Sequence, residues 1–217
     1  MGQPTEPSVA ASLGTQRRPR NRSERQIAES AELKAAIVRA AATAFAERGY
    51  AQTTLDAVAR LVGLTRPGIL HHFASKEALF RAVLEQERVW AEHRAQAAVS
   101  DGPLGPVREL GAFLGGGDDA RIPLQLIHVL EGEALAGNEA AADYVRSRTA
   151  LVRGEILTRL RICQSRGDLP RDADLERLVT LVAATINGLQ KAWLLQPQLD
   201  THAAFRRFVD ALPELAH

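Results

Sequence analysis

Cysteine is almost missing: Cys163 is the single one in 217 residues. That count excludes an internal disulfide and a multi-cysteine zinc site. Cys163 reads as a small apolar filler of a helix, with a redox-sensing thiol as the sharper alternative. Long apolar runs are missing too. No stretch approaches the roughly 18 apolar residues of a membrane span, and the first residues hold no apolar signal core. A cytoplasmic chain without a membrane partner is therefore expected. There is no phosphate-binding glycine loop, no HExxH and no GxSxG, and Gly115–Gly117 runs into Asp118-Asp119 rather than Lys-Ser or Lys-Thr. Neither a cofactor nor a metal site is expected. His71 and His72 are adjacent, and neighbours on a helix point about 100° apart, so they cannot clamp one ion alone. Strand alternation and hairpin signals are absent throughout, and the absent catalytic constellation disfavours an enzyme.

What remains is an ordinary globular composition, 46% hydrophobic with a mean hydropathy of −0.14, long enough for one large or two small domains. The net charge of +1 is unevenly placed: residues 1–81 hold 12 Lys and Arg against 7 Asp and Glu, whereas residues 82–217 hold 15 against 19. A basic N-terminal part followed by an acidic remainder suits a DNA-reading domain joined to a domain that does not touch DNA.

The stretch from Thr53 to Phe80 carries the strongest local signal. Leu55, Val58, Ala59 and Val62 form one helical stripe, Gly63 is the turn candidate, and Leu64, Ile69 and Phe73 supply facing apolar positions. Thr53 or Thr54 caps the first short helix, with Asp56 placed for a capping box on Thr53. Thr65 caps the second, with Arg66 and Pro67 in its first turn, and Ser75 caps a third that begins Lys76-Glu77. The spacing predicts a helix-turn-helix whose second helix, Thr65–Phe73, reads DNA. Arg66 is the candidate for a bidentate contact with guanine. Lys76 and His72 are candidates for phosphates, with Lys76 helped by the helix start at Ser75.

Gly49-Tyr50, Thr53-Thr54, Leu64-Thr65-Arg66 and His72-Phe73-x-Ser75-Lys76-Glu77 together resemble the DNA-binding signature of the tetracycline-repressor (TetR) family of transcription regulators. The resemblance covers about Leu33–Leu84. It implies an N-terminal DNA-binding domain, a dimer, and a C-terminal helical domain that binds a small effector. Its DNA-contacting set maps onto Lys34, Thr54, Thr65, Arg66, Pro67, Gly68, Leu70, His71, His72 and Lys76. One position departs: the family often has a tyrosine where this chain has Leu70, so a phosphate contact from that hydroxyl is unavailable.

In chain order, residues 1–28 are expected as a disordered basic arm carrying Arg17, Arg18, Arg20, Arg22 and Arg25, either a solvated tail or an arm that follows the DNA. Residues 29–80 form the DNA-binding domain and 81–217 the effector-binding and dimerisation domain. The first helix carries Leu33, Ile37, Ala40, Ala41, Ala44 and Phe45 and ends at Gly49. Further amphipathic segments run from Lys76 toward Ala98, Val107–Leu114, 120–136, Glu139–Arg166, about 172–196 and about Thr201–Leu212. The fold class is all-α, with about nine helices.

Segment 175–194 is apolar on more than one face, so one face can serve the monomer core and another a partner. The resemblance implies a four-helix dimer face from the last two long helices of each subunit. Leu175, Leu178, Leu189, Trp193, Phe205 and Phe208 are its candidates. Trp90, Phe113, His128, Tyr144, Arg148 and Asn187 each put a polar or aromatic group beside an apolar helical face, and they are expected to face one effector cavity. The function expected is a repressor that binds a palindromic operator as a dimer and is released by a mostly apolar effector. A ligand-independent or activating DNA binder of the same fold stays open.

Overall fold

The computed structural model describes residues 22–96, 102–116 and 118–216. Among them there are nine α-helices and no strand: α1 (Arg22–Gln52), α2 (Leu55–Leu61), α3 (Arg66–His72), α4 (Lys76–Gln96), α5 (Gly105–Arg108), α6 (Asp118–Leu135), α7 (Glu139–Arg166), α8 (Leu175–Leu195) and α9 (Thr201–Asp210), with a 3-10 turn at Glu109–Phe113. The described backbone divides into two units, with the boundary between Ala35 and Ala36. The segment expected as an arm is helical from Arg22 onward, which corrects residues 22–28; Arg17, Arg18 and Arg20 lie outside the described residues.

In the second unit, Ile37, Ala41, Ala44 and Phe45 of α1 are buried together with Leu55, Val58 and Ala59 of α2, Ile69 of α3, Phe73, and Leu79, Phe80 and Val83 of α4. The rings of Phe45, Tyr50 and Phe80 pack mutually, Phe45 edge-on to Phe80 at 5.3 Å and Tyr50 against Phe80 at 4.4 Å. Each buried ring of this size removes enough apolar surface from water to contribute roughly 1.5–3 kcal/mol. Gly49 closes the long run of α1 with φ 81° and ψ 164°, a conformation open essentially to glycine alone. A Cβ at Gly49 would also collide with the Glu133 carboxylate.

The remaining helices make the second core. Val107 and Leu110 pack with Ile156, Leu160 and Cys163 of α7, Leu178, Val179 and Val182 of α8, and Phe205 and Val209 of α9. Cys163 is fully buried there, and burial pushes its thiol up from the ordinary value, which fits the filler reading. Helix ends follow sequence chemistry: Asn138 accepts from the Ala141 amide at the start of α7, Gly167 ends α7 in the left-handed region, and Asp174 and Asp200 cap α8 and α9.

Helix α8 corrects one expectation, being long and apolar enough by length and composition to cross a membrane. It nonetheless packs on α7, α9 and α6 through Leu178, Val179, Val182 and Ile186, as a core helix of the bundle.

Two dimer-face candidates are also corrected. Leu178 is 0% and Phe205 1% exposed; both are spent on the chain's own core and leave no surface for a partner. Leu175, Leu189 and Phe208 are partly buried against that same core. The Trp193 ring lies against the backbone of Gly115. On the other side of α8, Ala184, Gly188 and Leu195 are exposed, and Leu181, Thr185 and Ala192 beside them are half-buried. Their 3- and 4-residue spacing puts them on a single helical face, mostly apolar and only partly covered.

Candidate nucleic-acid interface

The reading unit is built by caps and one turn. The Thr54 hydroxyl accepts from the Ala57 amide at 3.1 Å and starts α2. The turn closes where the amides of Val62 and Leu64 both reach the Ala59 carbonyl, at 3.2 and 2.9 Å, with Gly63 between them at φ 70°. A side chain at positive φ is strained, so glycine is the natural choice. The Thr65 hydroxyl then accepts from the Gly68 amide at 3.4 Å and starts α3, and Ser75 Oγ accepts from Ala78 at 3.0 Å to start α4.

Thr53 does not cap. Its buried hydroxyl lies 2.7 Å from the Gly49 carbonyl and 3.0 Å from that of Ala44, tying the end of α1 to the start of α2. The expected capping box is therefore absent, because Thr54 holds the cap position. Asp56 instead faces Arg66 across the turn at 3.5 Å. Both side chains are more than half exposed, so this pair is worth at most about 1 kcal/mol.

Ile69 anchors α3 in the core while Arg66, Pro67, Leu70 and His71 are exposed and Gly68 and His72 half-buried. The His71 and His72 rings meet edge-on at 5.2 Å. Lys76 donates to the Ala51 carbonyl at 3.2 Å and lies 4.4 Å over the Tyr50 ring. Burial pushes its ammonium below the ordinary lysine value, and the Glu133 carboxylate pulls the other way. An ammonium carries three donors, so this seat orients Lys76 and leaves donors over for an anion. A groove of about 440 Å³ is lined by Thr53, Thr54, Arg66, Leu70, Ser75 and Lys76. Lys34 is exposed on α1 in the first unit.

Of the six effector candidates, His128 lines an open-sided cleft of about 520 Å³. His128 Nδ1 lies 2.9 Å from Glu131, and Asn187 donates to the other Glu131 oxygen at 2.8 Å. Lys191 stands 3.4 Å from Glu131. Burial raises the Glu131 carboxyl, but the bonds and charges of His128 and Lys191 outweigh it and hold it at about 2. Ala142 and Val145 of α7 form the apolar side of the cleft with Ala134 and Leu135.

The other candidates lie apart from it, so the expectation of one shared cavity is corrected. Tyr144 and Arg148 on α7 form an electrostatic group with Glu87 of α4. The Phe113 carbonyl accepts from Gln190 at 2.8 Å, beside the second core. Trp90 lies on α4 with its side chain outside the description. Helical spacing shows that a residue borders an apolar face and not which helix that face meets.

Sequence reasoning groups Glu133 with His128 and Glu131 as a polar anchor for a ligand. Glu133 instead accepts from the Ala51 amide at 3.1 Å, and Gln125, which sequence reasoning missed, donates to the Ala46 carbonyl at 3.1 Å. Both dock α6 on the C-terminal end of α1. No local pattern reveals these partners, which are backbone groups about 80 residues away.

Comparison with known proteins agrees with this geometry. Residues 37–83 match the model of bacterial regulatory proteins of the tetR family. The chain is 32% identical over 190 residues to the HTH-type transcriptional regulator TtgR of Pseudomonas putida, covering 84% of this chain and 90% of that protein. It is 28% identical over 174 residues to the HTH-type transcriptional repressor BepR of Brucella suis, covering 77% and 83%. A TetR transcriptional regulator from Chloroflexus aurantiacus has the same fold, with a TM-score of 0.69 at 24% identity over 85% of this chain and 96% of that one. Salmonella enterica GusR gives 0.66 at 20% identity over 84% and 96%. With a helix-turn-helix capped at Thr54, Thr65 and Ser75, and a TtgR likeness that spans both the reading unit and the helices behind it, this chain belongs to the TetR family of bacterial transcription regulators.

Proposed function

We propose that this protein is a ligand-responsive transcriptional repressor that binds a palindromic operator as a homodimer and is released by a small, mostly apolar effector. It acts in the cytoplasm and is not an enzyme. One short reading helix contacts few bases, so two copies are needed, set about one helical turn apart (~34–36 Å) or at a wider spacing. The partly covered, mostly apolar stripe of α8 supports the dimer. The printed name of BepR, a repressor, supports the sign of control.

The observation that carries the ligand response is the double use of α6. One face supplies His128, Glu131, Gly132 and Leu135 to the cleft, while Gln125 and Glu133 on the same helix hold the backbone at the end of α1. A ligand that enters the cleft and favours a different seat of α6 changes the spacing of the two reading helices. It shifts the equilibrium only by its difference in affinity between the two conformations.

The test is fluorescence anisotropy of the full-length protein on labelled duplex carrying its selected operator, repeated with a panel of apolar and aromatic metabolites. Release of DNA by at least one compound, with a matching rise in melting temperature, is expected. Tight operator binding that no compound disturbs favours the ligand-independent binder.

A further inference from the structure

Leu70 is 40% exposed in the middle of α3. A single exposed leucine needs no explanation by itself, but the position of this one does. Ile69, its neighbour, is fully buried and already anchors the helix. Leu70 stands one turn after Arg66 on the same face and shares a groove with Thr54, Arg66, Ser75 and Lys76. Ala51, Leu55, Asp56 and Ala74 also line that groove, so Leu70 is the apolar side chain of α3 itself on a face that also carries cations and hydroxyls. A large part of it stays outside the core, and it has no donor for a phosphate.

The edges of base pairs in the major groove offer hydrogen-bonding groups and one apolar group, the 5-methyl of thymine. The geometry points to Leu70 as a specificity-determining residue that packs on the methyl of one thymine in each operator half-site. This rests on α3 reading the operator, as proposed above. Four residues at a 1.5 Å rise separate Leu70 from Arg66 by about 6 Å, or about two base-pair steps of 3.4 Å. The thymine therefore falls about two base pairs from the guanine held by Arg66.

The experiment selects a preferred half-site from random duplex DNA with the full-length protein, then replaces each thymine in turn with deoxyuridine, which removes only the methyl. At one position per half-site the wild-type protein is expected to lose about fourfold in affinity, the size of one buried methyl-sized group. Leu70→Ala, with its melting temperature checked to confirm folding, is expected to bind the thymine and uracil duplexes equally. Leu61→Ala, at an exposed leucine of α2, keeps the fourfold ratio. The inference is overturned if every uracil is tolerated, if the ratio persists in Leu70→Ala, or if the selected half-site contains no thymine. A selection that yields no preferred sequence overturns operator reading itself and this assignment with it. Selective binding that is indifferent to uracil removes the thymine assignment alone.

Discussion

Glu133 of α6 accepts a hydrogen bond at 3.1 Å from the backbone amide of Ala51, 82 residues earlier in the chain. Its second oxygen accepts from the side-chain amide of Asn138 at 3.0 Å, and Asn138 in turn caps α7. One carboxylate therefore joins the end of α1 to the corner between α6 and α7. Gly49 stands at this spot with φ 81°, and a Cβ there would also displace that carboxylate.

Replacing Glu133 with Ala leaves the Ala51 amide and the Asn138 amide without their acceptor. The expected loss is about 1–3 kcal/mol, read as a lower denaturant midpoint. Amide exchange at Ala51 should quicken beyond the global change. Operator affinity without ligand is expected to stay within a few-fold while ligand-induced release weakens. Unchanged release in the variant would show that α6 does not carry the signal.

Glu87 predicts a pH dependence. It is 6% exposed, one of its oxygens has no hydrogen-bond partner among the described residues, and burial pushes its carboxyl up to about 7 against the opposing charge of Arg148. Among the described residues Tyr144 also faces it. A raised carboxyl value means that the folded state holds its proton where the unfolded chain has lost it. Stability from this group is thus fully present below about pH 4.5 and is lost as pH rises to about 7. The loss is up to about 3 kcal/mol. Urea midpoints at pH 5, 6, 7 and 8 should show the slope in the wild-type protein and lack most of it in Glu87→Gln.

Arg66 and Lys76 separate by readout. Arg66→Ala is expected to relax sequence preference at one position per half-site. Lys76→Ala is expected to weaken binding to every sequence alike, and to lower the slope of log affinity against log salt by about two for the dimer, one phosphate per subunit. Equal loss on specific and random DNA for Arg66→Ala would make it a phosphate ligand, and an intact salt slope would remove Lys76 from the interface.

For the dimer, Ala184→Arg sets a charge in the partly covered stripe of α8 without touching the core, since Ala184 is exposed. A folded monomer in sedimentation velocity, with operator binding lost, is expected. Phe205→Ala acts differently: with its ring fully buried, it is expected to cost about 3–5 kcal/mol of stability. A dimer that survives Ala184→Arg would place the partner on another face.

The helices and the reading unit were legible in the sequence because their determinants are local. Caps at Thr65 and Ser75, the breaks at Gly63 and Gly167, and 3.6-residue spacing each act within a few residues; between Thr53 and Thr54 the sequence left the cap open. The bounds Glu139–Arg166 of α7 come out as the spacing predicts. Family membership was legible for the same reason, since its signature lies in consecutive short motifs. Only the tertiary structure decided which side of a doubly apolar helix turns inward. Leu178 and Phe205 went to the monomer core, and Ala184 and Leu195 stayed outside. It also decided that His128 and Asn187 meet through Glu131 while Tyr144 and Arg148 join Glu87. Periodicity fixes the angle of a side chain about its own axis. Partners 56 or 82 residues away depend on how the helices cross and rotate against one another, and that is set by the packing of the whole bundle.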